Sequence, residues 1–306
     1  MQKVNIIIKK LKMQKYLHIM TIPTVIWLII FCYIPMYGLQ IAFKNFMFNK
    51  GILGSAWVGL KHFITFFTDP YIKNVLINTF ALSVIRSILI FPIPIIFALL
   101  LNEVSNSLFK KITQTISYLP YFISWVMVAI MANSWLSTTG FINKLMMFLG
   151  IIEEPYLFLG TPNAFWWIAM FLEIWKTTGW SSIIFLAAIS GIDQEMYESS
   201  FIDGANRFQR IWYITLPSIL GTIMILLILT LSRVLTSANF EVSYLLSNPL
   251  NFSKSDILAT YILRIGISLG RYSYATAVGL LQSVVAFVLL FAANFGSKKA
   301  TDISFF

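Results

Sequence analysis

The chain has 306 residues, of which 58% are hydrophobic, 16% aromatic and only 11% charged, where a soluble domain carries about 25% charged residues. With a mean hydropathy of +0.80, much of it must face something other than water, which excludes an ordinary soluble fold. The net charge of +10 invites a nucleic-acid reading, but the lysines and arginines form no basic stripe with interleaved aromatics, so no nucleic-acid partner is expected.

Lys3, Lys9, Lys10, Lys12 and Lys15 cluster just before the first apolar run, where positive-inside charge belongs. Residues 1–15 therefore read as a basic cytoplasmic tail. The apolar part that follows, Leu17 to Phe43, is too long for a signal h-region and lacks a small-x-small cleavage site. It reads as an uncleaved first helix. One crossing needs roughly 20 apolar residues, and six stretches qualify: Tyr16–Ala42, Val75–Leu101, Ile112–Leu136, Ala164–Ile189, Leu216–Phe240 and Tyr272–Phe295. The expected fold is an all-α integral membrane protein with six transmembrane helices and both termini cytoplasmic. Residues 16–73 would hold the first span and an external loop, residues 74–296 the core, with a cytoplasmic loop at 190–215, and residues 297–306 a cytoplasmic tail.

Charge supports that orientation modestly. The inner segments hold the N-terminal lysines, Lys110, Lys111, Arg207, Arg210, Lys298 and Lys299; the outer ones hold Lys44, Lys50, Lys61, Lys73, Lys144, Lys254, Arg264 and Arg271. Pro23, Pro35, Pro92, Pro94 and Pro120 fall inside apolar stretches, where neighbouring helices or waters can satisfy the freed carbonyls. They predict kinked, packed helices. The outer segments 51–67 and 141–159 are rich in aromatic and aliphatic residues and read as short surface helices, with another from about Asp256 to Leu269. Cys32 sits alone in an apolar run, and His18 and His62 have no ligand neighbours. No disulfide and no metal site follow.

The most polar stretch of the second half runs from Asp193 to Pro217. Asp193 suits a helix N-cap, with Glu195 in the first turn. Gly204 can break that helix or allow close packing. A second short helix carries Phe208, Ile211 and Trp212 beside Arg207 and Arg210, and Pro217 suits the first turn of the next membrane helix. Small residues at the centre and charges around them make a docking element: a partner can approach closely, and the charges set register.

Here the sequence resembles a known family. Glu198-Ser199-Ser200-x-x-x-Gly204, nine residues, then Ile214-x-Leu216-Pro217 matches the motif E-A-A-x3-G-x9-I-x-L-P of binding-protein-dependent ABC importer permeases. Ser199 and Ser200 stand where the family usually has alanines; both are small, so the packing argument survives. The extended form, Tyr197 through Asp203-Gly204-Ala205, looks like sugar permeases. So do Trp57-Val-Gly-Leu60 with Phe63, Asn78-Thr79, Gly140-x-x-Asn143 and Gly270-x-Tyr272-x-Tyr274-Ala-Thr276. The resemblance covers most of the chain and is nearest to the complex-polysaccharide permeases often called LplB-like.

That resemblance implies a type I importer fold in which the loop around Glu198 is a coupling helix seated in a cytoplasmic ATPase, with Glu198, Ser199, Ser200, Asp203, Gly204, Ala205, Arg207 and Pro217 as coupling residues. It implies a second, related permease as heterodimer partner, two copies of the ATP-binding subunit, an extracellular solute-binding lipoprotein and an oligosaccharide cargo in a bacterial plasma membrane. The chain contains no Gly-Lys dipeptide, hence no Walker A loop. ATP and Mg would be used by the partner; no cofactor is expected on this chain, which would not itself be an enzyme.

Ionisable residues within spans are costly and default to function. Glu173 and Lys176, spaced to pair on one face, read either as a polar lining of the substrate path or as a structural ion pair; Arg86 and Arg233 lean toward the structural reading. Trp175 and Trp180 are candidates for sugar stacking, and Asn133 and Asn239 for hydrogen bonds to sugar hydroxyls. Two rival readings are an ABC permease for a non-sugar solute and an ion-gradient secondary transporter. The latter predicts carboxylates deep in several spans, and only Glu173 qualifies.

Overall fold

A computed structural model of the chain describes residues 14–233 and 239–301. Lys3, Lys9, Lys10 and Lys12, the end of the 297–306 tail and residues 234–238 of the fifth apolar stretch lie outside the described residues. The described chain is mostly helical and packs as two compact units, one within residues 1–67 and 265–280, the other within 68–264 and 281–306.

In the first unit, a continuous helical run spans Lys15–Phe43. Its side chains are exposed all round from Lys15 to Tyr37 and become half-buried toward Ala42, and a helix that is apolar on every face belongs in hydrocarbon or against another protein. Lys44–Asn45 then pairs antiparallel with Ala56–Trp57. The Phe43 ring stacks on Trp57 and tilts against Phe63. Gly270 adopts φ +66°, a left-handed turn that glycine takes without steric cost. Just beyond it, Tyr272 meets the rings of Phe46 and Phe48 edge-on, and Ser273 accepts a hydrogen bond from Phe46 N at 2.9 Å. The last helix, Tyr272–Thr301, continues past the expected end of the sixth stretch.

The second unit begins with Asp69 capping the helical run Pro70–Asn102 by accepting from Tyr71 N. That run contains a π-turn at Arg86–Ile90, in which Phe91 N donates to Arg86 O. Pro92 follows two residues later. The same offset recurs at Ile29–Tyr33 before Pro35 and at Ile211–Thr215 before Pro217. A proline lacks the N–H and its ring crowds the carbonyl four residues back; one wider turn relieves both while keeping the helix going.

Two stretches expected as single helices are bent. Ser107–Phe122 and Trp125–Trp135 meet at 96°, and Arg207–Ser218 and Leu220–Arg233 at 62°. The first break follows from Pro120 and from Ser124, whose hydroxyl caps the next helix by accepting from Met127 N. The second corrects the role expected for Pro217. That proline lies inside the helix Arg207–Ser218, and the chain turns only after it, at Ile219. Among the described residues, three helical runs are long and apolar enough to cross a membrane unbroken, and the two bent pairs add two more candidates.

The 26-residue helix Phe165–Ser190 sits at the centre of this unit, packed on Pro92–Asn102 and on Ser107–Tyr118. At its close approach to the latter, Gly179 lies where any Cβ would overlap the Ser117 carbonyl. Buried asparagines tie the connecting segments down. Asn78 donates to the carbonyls of Ser253 and Asp256, Asn143 to those of Ser137 and Tyr156, and Asn251 to those of Leu159 and Leu246. Each satisfies backbone groups that no helix supplies with partners. The helix expected over 256–269 forms as Leu258–Ser268. It is anchored by Asp256, which accepts from Tyr71, Thr260 and Arg264.

Candidate functional site

The second unit holds a polar cavity of about 330 Å³ between Phe165–Ser190, Pro70–Asn102, Leu220–Arg233 and the break after Tyr121. Glu173, Thr177, Trp180, Ser181 and Ile184 supply one wall, at the spacing that gathers side chains on a single helix face. Arg86, the first residue of the π-turn, faces them, and Arg233 closes the end.

Glu173 is 4% exposed and pairs with Arg86, Nη1 to Oε1 at 2.8 Å. The i,i+3 pair expected between Glu173 and Lys176 does not form. Lys176, 5% exposed, points to the helix break, where its ammonium donates to the carbonyls of Pro120 at 3.3 Å, of Tyr121 at 2.8 Å and of Ile123. Pro120 O also accepts from Ile123 N at 3.2 Å, so the carbonyls that depend on the ammonium are those of Tyr121 and Ile123. In a water-poor interior an unmet carbonyl costs about 1–3 kcal/mol, so a cation with three donors is the economical filler. The Lys176 ammonium also lies 5.5 Å from the ring centroids of both Tyr121 and Trp125. Trp180 stacks on Tyr121, centroids 4.7 Å apart and planes 6° from parallel. The break is thus held from one side by a charge and from the other by a ring.

Of the residues expected on a substrate path, the cavity gathers Glu173 and Trp180. Trp175 lines a separate apolar cavity of about 640 Å³ with Trp135, Trp167 and Phe171. Asn133 is exposed and donates to its own helix at Ala129 O. Asn239 is buried with φ +67°, at the start of Phe240–Leu246. Arg86, Tyr121, Thr177, Ser181 and Arg233 are cavity residues that sequence reasoning did not assign. The i,i+4,i+8 row from Glu173 through Thr177 to Ser181 was a legible signal; the approach of Arg86 was not. Among the described residues no group of three or more His, Cys, Asp or Glu could hold a metal ion.

The loop from Asp193 to Pro217 is a second site of different build. Asp193 caps Gln194–Ile202 by accepting from Glu195 N, as expected. Gly204, φ +74°, ends the helix with paired bonds, Gly204 N to Phe201 O and Ala205 N to Ser200 O. Asn206 and Gln209 then exchange side-chain and backbone bonds in a capping box that opens Arg207–Arg210. Tyr197 and Thr215 share a hydrogen bond at 2.8 Å across the two arms. At the roots, Ile189, Ile192 and Ile219 join the core of Ile95, Ala98 and Phe185.

The tip is exposed and apolar: Phe201, Ile202 and Phe208 are 72%, 84% and 83% accessible. Glu198, Ser199, Asp203 and Gly204 are exposed, whereas Ser200 is buried and donates to Tyr197 O within the same helix. Arg207 reaches Glu103 only at 4.0 Å, and Glu198 has no ion pair or side-chain hydrogen bond among the described residues.

Residues 90–299 match the model of the family described as binding-protein-dependent transport system inner membrane component. The chain belongs to that family. Protein LplB of Bacillus subtilis (strain 168) is 44% identical over 94% of this chain and 90% of that one. The polygalacturonan/rhamnogalacturonan transport system permease protein YteP of the same organism is 43% identical over 95% of this chain and 90% of that one. Among solved structures, a bacterial ABC transporter involved in import of the acidic polysaccharide alginate superposes with a TM-score of 0.89 at 40% identity, covering 96% of this chain and 99% of that chain. A structure of bacterial alginate ABC transporter in complex with alginate pentasaccharide-bound periplasmic protein gives the same TM-score of 0.89 at 39% identity. This inner membrane component therefore has the fold of an ABC importer permease, an integral membrane protein of several apolar helices.

Proposed function

We propose that the chain is the membrane-spanning permease subunit of an ATP-driven importer of oligosaccharides or polysaccharide fragments. Its loop 190–215 docks on a separate cytoplasmic ATP-binding subunit. The observation that carries this reading is the loop itself: its backbone is closed internally by caps, while its apolar tip is exposed and Glu198 has no ion pair or side-chain hydrogen bond among the described residues. A surface that is finished in its backbone and unfinished in its side chains is built for another protein. Glu198, Ser199, Ser200, Asp203, Gly204, Ala205 and Arg207 present or shape that surface. Pro217 fixes the arm behind it.

In this reading the polar cavity belongs to the cargo path, with Glu173, Arg86, Trp180 and Tyr121 in its wall. A second, related permease pairs with this one as a heterodimer above two ATP-binding subunits, and an extracellular solute-binding lipoprotein delivers cargo. ATP and Mg are used by the ATP-binding pair, whose closure rocks the permease helices between inward-facing and outward-facing states. The names of the relatives support a saccharide over other solutes. Both termini then lie in the cytoplasm.

Glu198→Lys or Gly204→Trp should leave membrane insertion intact and abolish ATP-dependent uptake in the assembled transporter. The first reverses the unpartnered charge; the second puts a bulky side chain on a left-handed backbone that costs an L-residue about 1–2 kcal/mol. Wild-type uptake by both variants would remove the docking role.

A further inference from the structure

We propose that the cleft at the root of the exposed loop is a site for an anionic phospholipid, with Arg207 and Arg210 on the headgroup phosphate and Glu103 on the headgroup hydroxyls. The site goes beyond the transport reading and does not depend on the solute carried; only its assignment to the inner leaflet rests on the cytoplasmic orientation of the loop. The cleft, of about 500 Å³, lies between residues 102–105, the end of Phe165–Ser190 and the two arms of the loop. Asn102 closes a helical run long and apolar enough to cross a membrane, so the cleft stands at the depth of lipid headgroups. Arg210 is the central observation. Its guanidinium makes no ion pair or hydrogen bond among the described residues, and its Nε is closed to solvent without a partner. An unmet buried donor is costly, more so on a charged group, and such an orphan calls for a group from outside the chain. Arg210 also edges the clefts that hold Asp203 and Glu198, yet neither carboxylate comes within ion-pair distance of it.

The cleft carries two guanidinium groups and one carboxylate; the other carboxylates of the loop, Asp193, Glu195, Glu198 and Asp203, do not line it. Arg207 and Glu103 are 4.0 Å apart, the outer limit of an ion pair, and the Arg207 side chain is 67% exposed. Both planar forks are therefore open to phosphate oxygens, whose geometry and charge they match. A bare anion would also face Glu103. The ligand that fits is one whose phosphate is followed by hydroxyls, which donate to the carboxylate while the phosphate takes the arginines. Asn102, Ser105 and Gln194 line the same cleft with side chains that make no hydrogen bond among the described residues, and they supply further donors and acceptors. A glycerol headgroup has this form, whereas a choline headgroup brings a permanent cation and no hydroxyl. Just beyond Ser105 the chain enters Ser107–Tyr118, whose first turns hold the exposed Leu108 and Phe109 beside Lys110 and Lys111. Exposed apolar side chains next to lysines suit the boundary between acyl chains and headgroups, and basic pockets between helices at the inner face are where anionic headgroups bind.

The test uses the assembled transporter, with both permeases and the ATP-binding subunits, purified in a mild detergent. Native mass spectrometry measures the binding of dioleoyl phosphatidylglycerol, phosphatidate and phosphatidylcholine. Phosphatidylglycerol should bind about tenfold more tightly than phosphatidylcholine, and more tightly than phosphatidate. Arg210→Gln should bring phosphatidylglycerol to within about twofold of phosphatidylcholine, whereas Arg210→Lys, which keeps the charge, should retain part of the preference. Glu103→Gln should erase the preference over phosphatidate and keep the preference over phosphatidylcholine, a split that a purely structural role would not produce. Equal binding of phosphatidylglycerol and phosphatidylcholine by the wild-type complex, or an unchanged preference in Arg210→Gln, overturns the assignment. Two further arms separate the other occupants. Release of phosphatidylglycerol by millimolar sodium phosphate would give the site to a free anion, and binding to the permease pair that the ATP-binding subunits abolish would give the cleft to that partner; either result overturns the lipid site. The readout needs neither cargo nor ATP, so it stands or falls apart from the transport reading.

Discussion

Near residues 119–125 and again near residues 202–207 the chain interrupts a helix, and the freed polar groups are met in different ways. At the first interruption the carbonyls of Pro120, Tyr121 and Ile123 receive donors from Lys176, more than fifty residues further along the chain (|i−j| of 53 to 56). At the second, everything is local: Gly204 and Ala205 close one helix, and Asn206 and Gln209 open the next. A break inside a membrane protein must be satisfied by protein, because lipid offers no hydrogen bonds. A break in an exposed loop can be capped by its own neighbours, and its side chains stay available for a partner.

The comparison breaks most visibly at Lys176. Lys176→Met keeps the length and apolar stem but removes the donors, leaving the carbonyls of Tyr121 and Ile123 unmet, at about 1–3 kcal/mol each where water is excluded. We expect the melting temperature of the purified protein in detergent to fall by several degrees, with poor recovery of folded material. An unchanged melting curve would show that water or backbone rearrangement can replace the ammonium. At the other interruption the expected effect is the smallest. Ser199→Ala with Ser200→Ala restores the family's common residues. Their hydroxyls bond only to carbonyls of their own helix, Glu195, Met196 and Tyr197. Stability should stay within about 0.5 kcal/mol, and uptake should match wild type. A large loss in the double variant would mean the hydroxyls contact the partner.

The same contrast explains what was legible in the chain. Asp193 as a cap, Gly204 as a breaker and the spacing from Glu198 to Pro217 are local signals, and local chemistry builds that loop. The position of the bend after Pro217 was misread, because a π-turn at Ile211–Thr215 lets the helix run through the proline. Glu173 and Lys176 looked like a pair because spacing along one helix says nothing of what the neighbouring helices present. Their true partners, Arg86 and the carbonyls of a broken span, come from elements distant in sequence. Asn133, Asn239 and Trp175 carried suitable side chains, yet they turn away from the cavity to their own helix, to a left-handed turn and to an apolar wall. The polar cavity is a tertiary object, and only the row Glu173, Thr177, Ser181 was written locally.

Whether the exposed loop meets a cytoplasmic ATP-binding subunit is tested most directly by Ile202→Cys in a Cys32→Ser background, labelled with a membrane-impermeant maleimide in oriented vesicles. Ile202 is 84% exposed at the loop tip. Labelling should occur only in inside-out vesicles and should be blocked when the ATP-binding subunit is added back. Labelling in right-side-out vesicles, or labelling from the inside that the added subunit does not reduce, would contradict it.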